Sequence, residues 1–111
     1  MLYMESIFDK SLNDKENIIK DLISSGNERC INVFIFLYKF YKLNYKVGKS
    51  NHYLVFNAVY VKSLKKAKWS IANYCSMSES TLYRIRNDIV DCFYTCLNEN
   101  ITTEEIINYK G

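Results

Sequence analysis

The sequence predicts an all-α protein, a small helical domain with a C-terminal helix-turn-helix. Proline is absent and only three of the 111 residues are glycine, whereas a β-rich fold of this size needs more turn-forming residues. Hydrophobic residues make up 49% of the chain and aromatic residues 15%, which excludes a disordered composition. We therefore expect residues 1–111 to form a single domain, with an N-terminal helical part over 1–48 and a helix-turn-helix part over 50–98.

Four helices are predicted before the helix-turn-helix. Hydrophobic spacing places the first two at residues 3–9 and about 13–24, and the turn-forming segment 24–27 ends the second. Residues 28–46 are rich in β-branched and aromatic side chains that favour strands, but the run is too long for a strand and contains no hairpin signal. We predict a mostly buried helix there, and surplus apolar surface on it makes a second copy of the chain a candidate partner. The stripe assigned to the core comprises Phe34, Leu37, Tyr38, Tyr41 and Tyr45.

The fourth helix is expected over about 52–66, after a loop in which Ser50 or Asn51 can cap its first turn. His52 is assigned to that loop or cap. The predicted inward face consists of Leu54, Val55, Ala58, Val61 and Leu64. Lysines gather towards its C-terminal end, where the helix dipole favours cations, and they are Lys62, Lys65, Lys66 and Lys68.

The segment KWSIANYCSMSESTLYRIRN, residues 68–87, meets the packing requirements of a helix-turn-helix. Two helices that cross closely need a very small residue at the crossing, and Ala72 is one of only three alanines in the chain. Ser76 stands where such motifs usually have glycine, because the turn there is left-handed, and we expect serine to adopt this conformation at a modest cost. The apolar residues expected to face the core nearby are Ile71, Cys75 and Met77. Trp69 is assigned to the core or to an interface.

The second helix of this segment is predicted to follow Ser78, a favourable N-cap residue. The residues spaced for its core face are Leu82, Ile85, Ile89, Cys92, Phe93 and Cys96. At about 100° per residue, the opposite face presents hydrogen-bonding side chains near the helix N-terminus, namely Ser80, Tyr83, Arg84 and Asn87. Side chains of this kind can read base edges in the major groove. The alternative roles for Arg84 are a phosphate contact and a surface ion pair with Asp88.

An Ile-Ala pair on the first helix is followed by S-x-x-T-x-Y-R on the second, at Ile71, Ala72, Ser78, Thr81, Tyr83 and Arg84. In these residues the segment resembles the helix-turn-helix of sigma-factor region 4 and, more closely, small phage transcriptional regulators of the ArpU type. The resemblance covers about 40 residues, 53–92. It implies a sequence-specific DNA-binding transcriptional regulator of phage or prophage origin.

Charge is distributed unevenly along the chain. Residues 39–86 contain ten basic residues and one acidic residue, a net charge of +9, whereas the remainder has five basic and eleven acidic residues and a net charge of −6. A basic middle indicates a polyanionic partner, here double-stranded DNA, and ordinary solvated lysines are the alternative. The predicted DNA contacts are Ser78, Glu79, Ser80, Thr81, Tyr83, Arg84 and Asn87 on the second helix, with Lys62, Lys65, Lys66, Lys68 and Arg86 holding phosphates.

The sequence shows no catalytic constellation, cofactor loop or metal-ligand set. It lacks a glycine-rich phosphate loop, a serine nucleophile with a His/Asp pair, and paired carboxylates in apolar surroundings. Asp88 and Asp91 are expected on a solvated helix exterior. We therefore predict that the chain is not an enzyme and has no cofactor.

The four cysteines and the single histidine lack the spacing of a zinc site, so no metal is expected and the thiols are predicted to be buried and reduced. The most apolar run, residues 31–38, is far shorter than the roughly 20 residues that span a bilayer, and the N-terminus is polar and acidic. These features predict a cytoplasmic protein that does not contact a membrane.

Two other functions remain open from the sequence. One is a phage DNA-packaging protein, such as a small terminase-like subunit, that uses the same motif within a ring. The other is a protein-interaction helix-turn-helix module that binds RNA polymerase or another protein. A solution mass corresponding to a large ring distinguishes the packaging protein from a monomeric or dimeric regulator.

Overall fold

The computed structural model describes residues 11–62 and 66–98, and these residues contain helices and no strand. The helices are α1 (Leu12–Ser24), α2 (Glu28–Lys46), α3 (His52–Phe56, continued by a π-helical turn over Asn57–Val61), α4 (Lys68–Tyr74) and α5 (Glu79–Asn98). The all-α prediction is confirmed for this part of the chain, including the helix over 28–46 despite its strand-favouring composition. The helix predicted at residues 3–9 lies outside the described residues.

The chain divides into two compact units. Among the described residues, one unit contains residues 11–37 and 90–98, and the other contains residues 38–62 and 66–89. The end of α2 groups with α3, α4 and the start of α5.

In the first unit, the C-terminal half of α5 is fixed by hydrogen bonds to backbone carbonyls. The hydroxyl of the fully buried Tyr94 donates to the Lys15 carbonyl at 3.1 Å. Arg29 Nε donates to the Leu97 carbonyl at 3.0 Å. Carbonyls in the last turn of a helix have no partner within the helix, so Arg29 satisfies one of them at the end of α5.

Helix α2 is less buried than the sequence predicts. Its buried side chains form a single stripe of Cys30, Val33, Leu37 and Tyr41. Tyr45, predicted to lie in the core, is exposed, and the other exposed large apolar side chains on α2 are Ile35, Phe40 and Leu43. The prediction of a mostly buried helix is therefore wrong, because one stripe at helical spacing supplies the whole buried face.

Three residues in left-handed conformation follow helices. They are Gly26, Gly48 and Ser76, with φ values of 82°, 74° and 56°. After each, the N–H of the next residue donates to the carbonyl five positions earlier, at 3.0, 2.8 and 2.9 Å respectively. This is the Schellman arrangement, which satisfies carbonyls at a helix C-terminus. Serine therefore adopts at position 76 the backbone that glycine adopts after α1 and α2.

The π-helical turn shifts the buried face of α3. The Lys62 N–H donates to the Asn57 carbonyl at 2.8 Å, a five-residue spacing. Val59 and Tyr60 are buried as a result, whereas Val61, predicted to face inward, is exposed. Asn51 occupies the N-cap position without a capping hydrogen bond from its side chain. Leu64 and Lys65 lie outside the described residues.

Candidate nucleic-acid interface

Helices α4 and α5 are joined by a short turn, residues 75–78. Ala72 and Cys75 are buried, and Met77 is half-buried within the turn. Burial raises the pKa of the Cys75 thiol above its usual value of 9.0, which keeps it protonated and able to donate to the Leu54 carbonyl at 3.6 Å. The predicted small residue and core positions of this turn are therefore inward-facing.

Ser78 caps α5 as predicted. Its Oγ accepts a hydrogen bond from the Thr81 N–H at 3.2 Å and donates to Thr81 Oγ1 at 2.9 Å. Ser80 Oγ lies 3.2 Å from Ser78 Oγ. The bond from the Thr81 N–H satisfies one of the backbone donors that the first turn of a helix leaves open.

Only part of the predicted base-reading face of α5 is exposed. Tyr83 is 54% exposed and the Arg84 side chain 64% exposed, and Ser80 and Glu79 are also exposed. Asn87 is half-buried, and its Nδ2 donates to the Tyr83 carbonyl at 3.0 Å. The outward row near the start of the helix is therefore Ser80, Tyr83 and Arg84, whereas the Asn87 amide hydrogen-bonds to its own helix.

Arg86 is buried, whereas the sequence predicted an exposed phosphate contact. It is only 8% exposed, which contradicts its assignment as a phosphate contact. Arg86 is spaced four residues from both Leu82 and Val90, so it lies on the buried stripe of the helix. The prediction that Cys92 faces the core is also wrong, since Cys92 is exposed. The core face of α5 consists of Leu82, Ile85, Ile89, Val90, Phe93, Tyr94 and Leu97.

Exposed lysines accompany the α4–α5 pair. Lys62, Lys66 and Lys68 are exposed, and Lys62 Nζ donates to the Tyr74 hydroxyl at 2.9 Å while lying 5.6 Å from the centre of its ring. Trp69 is 61% exposed, so it does not lie in the core, and its assignment to an interface stays a prediction.

Arg84 has an acidic neighbour on its own helix. Arg84 Nη1 lies 3.8 Å from Asp88 Oδ2, and the same oxygen lies 3.2 Å from His52 Nε2. The His52 ring stacks on Tyr41 with 5.6 Å between ring centres and 26° between planes. The four-residue spacing of Arg84 and Asp88 was visible in the sequence, whereas nothing there connected His52, the first residue of α3, to a position 36 residues away.

The described residues contain no group of three or more His, Cys, Asp or Glu side chains placed to hold a metal ion. Within the same residues, no helix has both the length and the apolar character needed to cross a membrane. No family model, curated protein or solved structure matches this chain.

Proposed function

We propose that this protein is a sequence-specific DNA-binding transcriptional regulator in which the N-terminal half of α5 enters the major groove. The observation that carries the proposal is the outward row of Ser80, Tyr83 and Arg84 on a capped helix that directly follows a tight turn. An α-helix about 10–12 Å in diameter fits the major groove, which is about 12 Å wide. Hydroxyl and guanidinium groups can hydrogen-bond to base edges there.

The charges around this row favour a polyanion. Exposed Lys62, Lys66 and Lys68 lie before or at the start of α4, and Glu79 is the only acidic residue between positions 39 and 86. Lysines on exposed positions can neutralise phosphates and release counterions, which supplies affinity without sequence preference. Sequence preference must then come from α5.

Arg84 is the side chain with the greatest capacity for base reading. Its guanidinium has five N–H donors in a planar fork, and the Asp88 carboxylate lies 3.8 Å from one of its terminal nitrogens. The remaining donors are sufficient for a bidentate contact with a guanine edge. The ion pair in the free protein is therefore compatible with a reading role in the complex.

The test is selection of preferred duplexes from a random library, followed by binding measurements with the wild type and Arg84→Ala. As a base reader, Arg84 should contribute about 1–3 kcal/mol on the selected site and define the preference at one base pair. Thr95→Ala is the matched control, since Thr95 is exposed near the other end of the same helix. Equal weakening on selected and random DNA would instead assign Arg84 to a phosphate, and unchanged binding to both would remove Arg84 from the interface and count against α5 as the reading helix.

Solution mass tests how the regulator assembles. Exposed Phe40, Leu43 and Val47 lie at the end of α2 and just beyond it, and surface of this kind supports pairing with a second copy. A monomer or dimer agrees with the proposed regulator. A large ring would support a DNA-packaging protein, and binding to RNA polymerase without DNA binding would support an interaction module.

A further inference from the structure

We infer that Asp88 and His52 are positioning residues that orient the Arg84 guanidinium for base reading. This inference rests on the proposed function, because it assigns a role to two residues that act through Arg84. Neither residue belongs to the outward row of α5, and His52 lies outside the helix pair altogether. The three side chains form one connected group within the unit Tyr38–Ile89.

The connection passes through a single carboxylate oxygen. Asp88 Oδ2 lies 3.8 Å from Arg84 Nη1 and 3.2 Å from His52 Nε2. The 3.2 Å contact with His52 is within hydrogen-bond distance, whereas at 3.8 Å the carboxylate attracts the Arg84 guanidinium as an ion pair without a direct hydrogen bond. Asp88 therefore links the exposed arginine to a half-buried ring that belongs to another helix.

His52 is held by more than this bond. Its ring stacks on Tyr41, which is buried. Its Nδ1 is buried and has no hydrogen-bond partner among the described residues. A carboxylate oxygen only accepts hydrogen bonds, so we assign a hydrogen to His52 Nε2, which donates it to Asp88 Oδ2. This hydrogen bond and the stacking together fix where the Asp88 carboxylate lies.

A fixed carboxylate has two opposite effects on DNA binding. It limits the conformations of the long Arg84 side chain before DNA arrives, which lowers the ordering cost of a specific contact. Its negative charge also repels phosphates, which weakens binding to any DNA. Asp88 therefore increases sequence preference, because it strengthens the specific contact of Arg84 with a base and weakens the contacts with phosphates. Because the Asp88 side chain is 47% exposed, solvent screening keeps both effects small.

The experiment measures the affinity of Asp88→Asn for the selected duplex and for random duplex DNA, in the wild-type and Arg84→Ala backgrounds. We expect Asp88→Asn to lower affinity for the selected site about two- to fivefold and to leave affinity for random DNA equal or higher. The loss should disappear when Arg84 is already alanine, since the carboxylate then has no guanidinium to orient. Asp91→Asn, the same charge change at an exposed position one turn on, should affect both DNAs alike.

His52→Phe tests the second link, because it retains a ring for Tyr41 and removes the hydrogen bond to Asp88. We expect a smaller loss in the same direction, which vanishes in the Asp88→Asn background. Thermal unfolding of each variant separates the positioning role from a purely structural role. A structural role would lower the Tm and would weaken binding to both DNAs in every background.

The outcomes separate this inference from the proposed function. If the wild type shows no sequence preference, the proposed function and this inference both fail. If the preference exists and Arg84→Ala relaxes it, but Asp88→Asn weakens both DNAs equally or changes neither, only this inference is overturned. If Arg84→Ala leaves the preference intact, Arg84 is not the reader and the positioning role is overturned with it.

Discussion

Replacing Ser76 by glycine should stabilise the protein. Ser76 has a φ of 56°, the only positive φ at a described residue other than glycine. A side chain in this conformation brings Cβ too close to a neighbouring carbonyl oxygen, at a cost of about 1–2 kcal/mol. Ser76 is exposed, so removing its side chain sacrifices little burial.

The expected gain follows from two opposing effects. Glycine removes the left-handed cost but increases the entropy of the unfolded chain, which offsets about 0.5–1 kcal/mol. The net stabilisation is therefore roughly 0.5–1 kcal/mol, and in a chain of this size that corresponds to an increase in Tm of about 2–5 °C. The hydrogen bonds around the turn should remain, because Gly26 and Gly48 make the same pattern.

Chemical denaturation and thermal unfolding would measure the change. Ser70→Gly is the matched control, since Ser70 lies within α4, where glycine destabilises by about 0.5–1 kcal/mol. Gly48→Ala is the reverse control, because a Cβ there would meet no atom within 4 Å and any loss reports the backbone alone. If Ser76→Gly destabilises as much as Ser70→Gly, the left-handed turn is not the source of strain and the reasoning fails.

Three further predictions follow from burial and charge. Ala72→Leu should lower the free energy of unfolding by on the order of 1–3 kcal/mol through overpacking at a buried position. If the variant instead keeps the Tm and the DNA affinity of the wild type, the site is not tightly packed. Alkylation at pH 8 followed by peptide mapping should modify exposed Cys92 before Cys30 and Cys75, because burial raises the pKa of both buried thiols and keeps them protonated; rapid labelling of Cys75 in the folded protein would contradict its placement. DNA affinity should fall with salt at a log–log slope near −4 if about four phosphates are neutralised, and a slope shallower than about −2 would eliminate the proposed basic surface.

Local features of this protein could be predicted well from the sequence. The positions of α2 and α5, the Ser78 cap and the left-handed backbone at Ser76 all depend on residues a few positions apart. Propensity, capping bonds and turn chemistry act over that distance, so the sequence contains the needed information. The strand-favouring composition of α2 did not prevent a helix, because length and apolar spacing outweigh intrinsic β-propensity.

The buried side of each helix was harder to predict. Cys92 was predicted to be buried and Arg86 to be exposed, and the structure shows the reverse. Each lies next to a residue predicted for the opposite face, Asp91 and Ile85 respectively, and one position along a helix rotates a side chain by about 100°. The π-helical turn in α3 added a similar shift, which exposed Val61. An apolar pattern defines a stripe only approximately, so small differences in register decided which basic residues of α5 are exposed.

The sequence by itself determined that this chain forms helices, where most of them begin and end, and that one basic region contains a tight turn followed by a long capped helix. Only the tertiary structure decided that Arg86 is buried, that Trp69 is exposed and that His52 meets Asp88 beside Arg84. The physical reason is the range of the interactions. Hydrogen bonds and steric limits within a turn act between near neighbours along the chain, whereas burial and the His52–Asp88 contact depend on segments that come together only when the chain has folded.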